Sequence, residues 1–332
     1  MIDELLGRRV SLRALTLLRV FAGPIVVLHL WPFLDDARRG YVYSDAFHEP
    51  YATWYPELPR SLYIALLCIG VVAAIAMTLQ LWTRLSSVVT FAVVAYNLFV
   101  STTHFHNNRA YLVIVLGVLT AVSGEVGPAW PLWLLRIEAS VVYGASGLSK
   151  LFDHDWFDGT VSWGRVVRVQ DQVPGFAVSL LTNRSFHMGA AKVIIATELF
   201  IAFGLWFRRT RLVAVWVAVV FHLAIAVTAN VEVFSIVGIA ALVIWATPST
   251  GDRVATMPQP WARVVGYLDW LGRFRIEPGP ALQVVERNGS VLTGRDATIL
   301  ILSRLPLTAW FALPFVVLRA RTRWRRRRTT CR

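Results

Sequence analysis

The chain has 332 residues, of which 56% are hydrophobic and only 16% are charged. Soluble domains carry about 25% charged residues, so this composition, with a mean hydropathy of +0.56, excludes an ordinary soluble protein. The net charge of +13 does not indicate a nucleic-acid partner, because the arginines cluster at the ends of hydrophobic stretches and in the C-terminal tail, where anionic lipids attract them.

The hydrophobic stretches predict an all-α polytopic membrane protein. A domain over residues 10–250 holds about eight transmembrane helices, near 14–34, 61–82, 85–103, 110–124, 130–151, 188–207, 211–229 and 231–247. Arginines near 8–13, 84 and 208–211 and in the tail fall on one side when these spans are counted. Because positive charge marks the cytoplasmic side, we predict a plasma-membrane protein with both termini in the cytoplasm.

Three informative connections lie on the opposite, outer side. Residues 35–60 carry acidic and aromatic side chains, and residues 104–109 read His-Phe-His-Asn-Asn-Arg. Residues 152–187 are too long for a plain connector and are predicted to fold as a cap. Since the inner connections are short, we expect any chemistry on the outer side.

The fifth span carries charge where a bilayer helix should be apolar. At 100° per residue, one stripe collects polar and small side chains, namely Arg136, Ser140, Tyr143, Gly147 and Lys150. Ionisable groups in a membrane helix face a protein interior or a wet cavity, so the stripe predicts the wall of a site. Burial would favour a neutral Lys150 amine, which can act as a general base. A lysine that reaches towards the membrane surface is the plain alternative.

Polar residues also open the fourth span. Arg109 is a candidate to hold an anion such as a carboxylate or a phenolate, and Asn107 or Asn108 is expected to cap the helix. His104 and His106 form a pair without a third ligand, so no metal site is predicted.

Two further ionisable residues lie inside predicted spans. Glu198 is in the sixth span and His222 in the seventh. Hydrogen bonds between helices, to one another or to Arg136, compete with a catalytic role for both. The chain has only Cys68 and Cys331, so no disulfide framework is predicted.

After Pro248 the sequence predicts a cytoplasmic basic segment over residues 251–332. It contains an amphipathic surface helix over 261–274 and a hairpin over 283–294, with Asn288-Gly289 as a type I′ turn. A helix follows from about residue 295. The basic tail from Arg319 to Arg332 is predicted to lie on the anionic inner leaflet, with a solvated tail as the alternative.

Several motifs together resemble one known family. They are Leu135-Arg136 followed by Tyr143, Gly147, Lys150-Leu151, Trp156 and Gly159; Asn107-Asn108 with Tyr111-Leu112; Thr197-Glu198-Leu199-Phe200; and Phe221-His222 followed by Phe234-Ser235. This combination resembles the core of the vitamin K-dependent γ-carboxylases, within the wider horizontally transferred transmembrane (HTTM) domain family. The resemblance covers roughly residues 10–250.

The resemblance implies eight or nine helices, an active site towards the outer side, and a reduced quinone such as vitamin K or menaquinone hydroquinone as co-substrate. In the carboxylases, a lysine matching Lys150 deprotonates the hydroquinone. Oxygen then yields a strong base that removes a glutamate γ-proton, carbon dioxide adds, and the quinone becomes an epoxide. The matching residues expected to bind quinone or substrate are Asn107, Asn108, Arg109, Arg136, Tyr143, Trp156, Glu198 and His222.

Two departures from known patterns are visible. The carboxylases carry a histidine after the paired asparagines, where this chain has Arg109. The tail from Val284 to Arg332 resembles the C-terminal half of DCC-type thiol-disulfide modules but lacks their Asp-x-x-Cys-x-x-Cys centre.

Three functions follow as expectations. The first is a membrane enzyme that acts on a lipid hydroquinone, with a glutamate of a peptide or protein, or another acceptor, as second substrate. The second is a quinone or lipid carrier in which Lys150 and Arg109 hold a polar head group. The third is an inactive scaffold whose tail recruits a redox partner.

Overall fold

The computed structural model describes residues 2–41, 49–168, 170–172, 175–228, 232–246, 253–286 and 289–309. The chain divides into two compact units, Met1–Ala246 and Thr247–Arg332, and each has its own hydrophobic core.

The first unit is a helical bundle. Its elements are α1 (Ile2–Gly7), β1 (Arg9–Ser11), α2 (Arg13–Arg39), α3 (Arg60–Thr78), α4 (Thr83–Phe99), α5 (Asn107–Thr120), β2 (Val126–Pro128), α6 (Trp130–Phe152), α7 (His154–Phe157), α8 (Thr160–Arg168), α9 (Gly175–Leu181), α10 (Arg184–Gly204), α11 (Arg211–Thr228) and α12 (Phe234–Ala241). Two 3-10 helices, Gln170–Gln172 and Leu242–Trp245, follow α8 and α12.

Each predicted span overlaps one helix of this bundle, α2 to α6 or α10 to α12. Three of them, α2, α3 and α10, are long and apolar enough to cross a membrane. Helices α4, α11 and α12 with its following 3-10 turn are apolar but shorter, so eight spans remain a prediction. The apolar helices indicate a membrane protein.

Helix α2 lies at the centre of the bundle and packs against α3, α4, α5 and α12. Its buried side chains recur every three or four residues, which is the spacing of one helix face. A Cβ atom on Gly23 would lie 1.9 Å from Thr78 Oγ1, so α2 and α3 approach closely because this position has no side chain.

Two short strands correct the all-α prediction in this unit. Strand β1 pairs antiparallel with β2, and Val10 lies opposite Gly127. The strands tie the start of α2 to the start of α6. Nearby, the buried Arg19 donates to the carbonyls of Leu119 and Val122, which closes the C-terminal end of α5.

The predicted cap is confirmed as a folded segment made of α7, α8, a 3-10 helix and α9. Trp163 Nε1 donates to the Thr182 carbonyl at 2.7 Å, and His187 contacts both Ser162 and the Leu181 carbonyl. Gly159 has φ +86°, and a Cβ atom there would lie 2.4 Å from a backbone oxygen of α10. Only glycine lets the cap sit this close to α10.

The second unit is an α/β fold. It contains β3 (Val254–Met257), α13 (Gln259–Leu268), β4 (Arg275–Pro278), β5 (Gln283–Val285), β6 (Val291–Thr293) and α14 (Gly294–Leu302). The sheet order is β4-β3-β5-β6, in which β3 and β4 are parallel and the other pairs antiparallel. The core holds Met257, Val265, Phe274, Val284 and Ile301.

The predicted hairpin and final helix of this unit are confirmed, but two strands were missed. The surface helix predicted over 261–274 ends at Leu268, and β4 follows it. Strands β3 and β4 have four residues each, too short for an alternating pattern to stand out.

The hairpin turn also differs from the prediction. Gly289 N donates to the Glu286 carbonyl, and Gly289 has φ +78°. Gly289 is therefore the fourth residue of the turn rather than its third, which is typical of a three-residue loop with a bulge. Asn288 and the basic tail Arg319–Arg332 lie outside the described residues.

Candidate functional site

Lys150 and Glu198 form a shielded ion pair between α6 and α10. Lys150 Nζ lies 2.7 Å from both carboxylate oxygens of Glu198. The two side chains are only 13% and 5% exposed. Ser146 joins them, since it donates to Glu198 Oε1 at 2.9 Å and accepts from Lys150 Nζ. An amine, a carboxylate and a hydroxyl thus meet in one contact largely removed from water.

The close approach of α6 and α10 makes this contact possible. Ser146 and Lys150 are four residues apart on α6 and therefore lie on the same face. Between them, Gly147 packs against α10, and a Cβ atom there would lie 3.0 Å from Leu199 and 3.3 Å from Glu198 Cβ. A side chain at position 147 would push Glu198 away from Lys150.

The cap covers the pair. Lys150 Nζ lies 4.9 Å from the centre of the Trp156 ring, which belongs to α7. Arg165 of α8 lies at the same distance from the same ring. The indole face attracts both cations, so it holds the cap over Lys150.

Lys150 stands out among the cationic residues. Lys150 and Lys192 are the only lysines of the chain, and every other cationic side chain is an arginine. An arginine stays charged in proteins, whereas a lysine amine can give up its proton when its surroundings favour that. Lys192 is exposed, so Lys150 is the chain's one shielded amine side chain.

A second polar pair lies deeper on the same face of α6. Tyr143 Oη lies 2.5 Å from His222 Nε2 of α11, and both side chains are buried. A Cβ atom on Gly238 of α12 would lie 2.3 Å from the His222 ring, so the ring rests directly on that backbone. His222 Nδ1 has no hydrogen-bond partner among the described residues. This pair joins α6, α11 and α12.

Arg136 lies near the opposite end of α6 from Lys150. Fourteen residues separate them, which corresponds to about 21 Å along a helix. The Arg136 guanidinium donates to the Ile244 carbonyl at 2.7 Å and 3.1 Å and lies 5.2 Å from the Trp245 ring. Arg136 therefore holds the 3-10 helix that follows α12, far from Lys150.

These contacts lie within a recognisable domain. Residues 122–249 match the family model of the HTTM domain. The match includes α6, the cap, α10, α11 and α12, and therefore both members of the Lys150–Glu198 pair and of the Tyr143–His222 pair. It supports the predicted resemblance to the HTTM family. Comparison with curated proteins and with solved structures finds no match.

Arg109 lies outside the residues that match the HTTM model. It was predicted to hold an anion, and the anion that it contacts is a carboxylate of the chain itself. Its guanidinium forms a two-pronged contact with Glu232, which precedes α12, and donates to the His104 carbonyl at 2.8 Å. It also lies 4.8 Å from the Phe33 ring. The hydrogen bond from Arg109 lowers the pKa of Glu232. Arg109 links three parts of the bundle.

The neighbouring asparagines do not cap α5 as predicted. His106 occupies the N-cap position, and its side chain accepts from the Asn108 backbone N–H at 3.4 Å. Asn107 is the first helical residue and is exposed. His104 contacts the Asn97 carbonyl. Among the described residues, no three His, Cys, Asp or Glu side chains are grouped to hold a metal ion.

The structure thus brings together only part of the predicted set. Lys150, Glu198 and Trp156 meet in one place, whereas Arg136 and Arg109 are engaged elsewhere. The prediction that Glu198 contacts His222 or Arg136 is wrong, because its partners are Lys150 and Ser146. The sequence prediction did not include Ser146 or Arg165. The i, i+4 spacing from Lys150 was the available signal for Ser146.

Proposed function

We propose that this chain is an integral membrane enzyme that binds a lipid hydroquinone near Lys150 and removes a proton from it. The observation that carries the proposal is the contact of Lys150, Glu198 and Ser146 beneath Trp156. Ionisable groups shielded inside a membrane domain are costly, and such groups usually serve a function. The use of lysine at this position, in a chain that otherwise relies on arginine, favours proton transfer over simple charge.

The pair has a route to a neutral amine. An ammonium next to a carboxylate and an amine next to a carboxylic acid differ only in the position of one proton. Moving that proton from Lys150 to Glu198 leaves no charge in the pair. When the proton lies on Glu198, Lys150 has the lone pair that a general base needs. A substrate hydroxyl can then give its proton to Lys150 while Glu198 retains the first proton.

The residues around the pair fit a phenolic ring. The Ser146 oxygen has a second lone pair that can accept a hydrogen bond from a substrate hydroxyl, and the Trp156 ring lies 4.9 Å from Lys150 Nζ, where its edge can contact a substrate ring. When bound, a hydroquinone supplies the reducing power that, with oxygen, yields the strong base and the epoxide implied by the carboxylase resemblance. The cap limits the access of water to Lys150, which protects a strong base from being quenched. The acceptor in this proposal is a glutamate side chain of a peptide or protein.

The membrane arrangement belongs to the same proposal. We place eight spans in the plasma membrane, with both termini in the cytoplasm and Lys150 towards the outer side, because of the arginine distribution. Single cysteines introduced near Asp45, Asn107 and Asp158 should react with an impermeant reagent in intact cells. Labelling at Arg209 instead of these three sites would reverse the orientation.

A quinone or lipid carrier is the second candidate. Lys150 and Arg109 were expected to hold the polar head group, but each already contacts a carboxylate of the chain. A carrier would therefore have to break one of these pairs to bind an anion, which makes catalysis the better-supported function. An inactive scaffold is weaker still, since the tail after residue 247 contains no cysteine pair.

The test is hydroquinone-dependent oxygen consumption and epoxide formation by the purified chain in lipid discs. Lys150→Arg keeps the charge but cannot act as a base, so turnover should fall by about 10²- to 10⁴-fold. Lys192→Arg is the matched control and should leave turnover unchanged, because Lys192 is exposed. Full activity in Lys150→Arg would rule out the proposal. Bound quinone without any turnover in the unmodified chain would favour the carrier.

A further inference from the structure

The cap has two halves of opposite character. Helix α8 buries Ser162 and Val166 against the bundle and exposes Arg165 and Arg168. Helix α9, with the sequence GFAVSLL, has no charged residue, and none of its seven residues is buried. Phe176 is 91% exposed and Leu180 is 53% exposed. The α8 half of the cap thus exposes charged side chains, whereas the α9 half exposes apolar ones.

A helix that is apolar on all sides is normally buried in a protein core or in a membrane. The first unit covers α9 only in part, since Ala177, Val178 and Leu181 are half-buried whereas Phe176 and Leu180 are exposed. The bilayer is the remaining apolar medium. Isolated exposed apolar residues are ordinary on protein surfaces, but an entire uncharged helix without a buried residue is not.

The connection to α10 fixes the depth of α9. Helix α9 ends at Leu181, and α10, which is long and apolar enough to cross a membrane, begins at Arg184. Trp163 anchors this corner through its bond to the Thr182 carbonyl, and the Asn183 side chain caps α10. If α10 crosses the membrane, α9 lies at the membrane boundary, because only Thr182 and Asn183 separate the two helices.

The neighbouring helix ends are also apolar. Phe152, the last residue of α6, is 83% exposed, and Phe186 and Met188 at the start of α10 are exposed as well. Lys150 lies two residues before Phe152. Exposed apolar side chains thus lie on α9, at the end of α6 close to Lys150, and at the start of α10.

From these observations we infer that α9 lies in the membrane interface and inserts Phe176 and Leu180 into the leaflet in which α10 begins. The cap then rests partly in lipid and partly in water. A substrate with an isoprenoid tail could then enter beneath the cap from the bilayer, past α9. This last consequence rests on the proposed function, whereas the insertion of α9 does not.

The experiment measures the depth of single spin labels in the full chain in lipid discs. Cys68 and Cys331 are replaced by serine, and a cysteine at Phe176 or Leu180 carries a nitroxide. Oxygen concentrates in the bilayer and a nickel chelate stays in water, so the ratio of the two accessibilities reports depth. Asp171→Cys, in the exposed 3-10 helix of the same cap, is the matched control.

Labels at 176 and 180 should show a several-fold higher oxygen-to-nickel ratio than the label at 171. Equal ratios at 176 and 171 would overturn the inference. A label at 176 that is shielded from both reagents and shows spin–spin coupling between copies would also overturn it, because a second chain would then cover α9.

A second measurement separates this inference from the proposed function. Replacing both Phe176 and Leu180 by serine should raise KM several-fold for a long-chain hydroquinone and leave kcat for a short-chain analogue unchanged. An unchanged KM with the expected label depths would leave α9 in the membrane but remove its role in substrate entry. Absence of turnover in every variant, including the unmodified chain, would contradict the proposed function and leave the measured depth of α9 unchanged.

Discussion

The two ends of α6 carry one cationic side chain each, and they use it differently. Arg136 donates to a backbone carbonyl and lies against the Trp245 ring, so its partners offer no site for its proton. Lys150 contacts a carboxylate, which can accept its proton, and a hydroxyl, which hydrogen-bonds both groups. The same helix face therefore holds a structural cation at one end and a reactive pair at the other.

The structural use of arginine recurs through the bundle. Arg19, Arg60 and Arg211 also donate to backbone carbonyls at the ends of helices. The last carbonyls of a helix lack partners within the helix, and a guanidinium can satisfy two of them. Much of the positive charge near the helix ends thus closes the bundle, and Lys150 differs from this pattern in both residue type and partner.

The largest expected effect on stability comes from breaking the reactive pair. Glu198→Leu would leave an unpaired charge at Lys150 and should lower the free energy of unfolding by about 3–5 kcal/mol. Combining it with Lys150→Met should restore most of that loss, because no charge is then left alone. Denaturant unfolding in mixed micelles measures both variants. A double variant as unstable as the single one would show that the pair is not the cause.

Replacing Arg136 should lower the stability of the chain but should not change its turnover. Arg136→Met removes both bonds to the Ile244 carbonyl and should cost about 1–3 kcal/mol of unfolding free energy. Turnover per folded molecule should remain at the level of the unmodified chain. A selective loss of turnover in this variant would contradict the division of α6 into a structural and a reactive end.

The approach of α6 to α10 offers a finer test. Gly147→Ala places a methyl group 3.0 Å from Leu199, and this overpacking should cost about 1–3 kcal/mol. Gly144→Ala is the matched control, because its Cβ atom would make an ordinary 3.8 Å contact with Ala202. The control should be neutral or should stabilise the helix by up to about 1 kcal/mol. Thermal unfolding and turnover are measured for both variants. Equal stability of the two would show that the close approach at Gly147 does not matter.

The smallest effect concerns pH and the Arg109–Glu232 contact. Because the folded chain lowers the pKa of Glu232, this contact stabilises the fold above the carboxyl's ordinary pKa. That contribution is lost as the pH falls through the lowered value. Glu232 is 43% exposed, so at most about 1 kcal/mol is involved. Glu232→Gln should flatten this part of the stability–pH curve, and an unchanged curve would remove the contact from the account.

The sequence predicted the long helices well, because each is a continuous apolar stretch that few other structures accommodate. It also predicted that residues 152–187 fold as a cap. A helical wheel gives the direction in which a side chain points, but it gives neither the position of that side chain along the helix axis nor its partner on another helix. Arg136 and Lys150 were therefore predicted to line one site, although they lie near opposite ends of α6.

Contacts between side chains on different helices were harder to predict from the sequence. The sequence offered His222 and Arg136 as partners of Glu198, and only the packing of α6 against α10 at Gly147 selects Lys150. In the second unit, β3 and β4 each have four residues, so their pairing depends on the sheet rather than on a local pattern.

The most direct test is infrared difference spectroscopy of the chain in lipid discs on addition of hydroquinone. If Lys150 and Glu198 accept a proton together, a carboxylic-acid carbonyl band should appear when hydroquinone binds. The band should be absent in Glu198→Gln and in Lys150→Arg, and present in Lys192→Arg. Bound hydroquinone without this band in the unmodified chain would contradict the account.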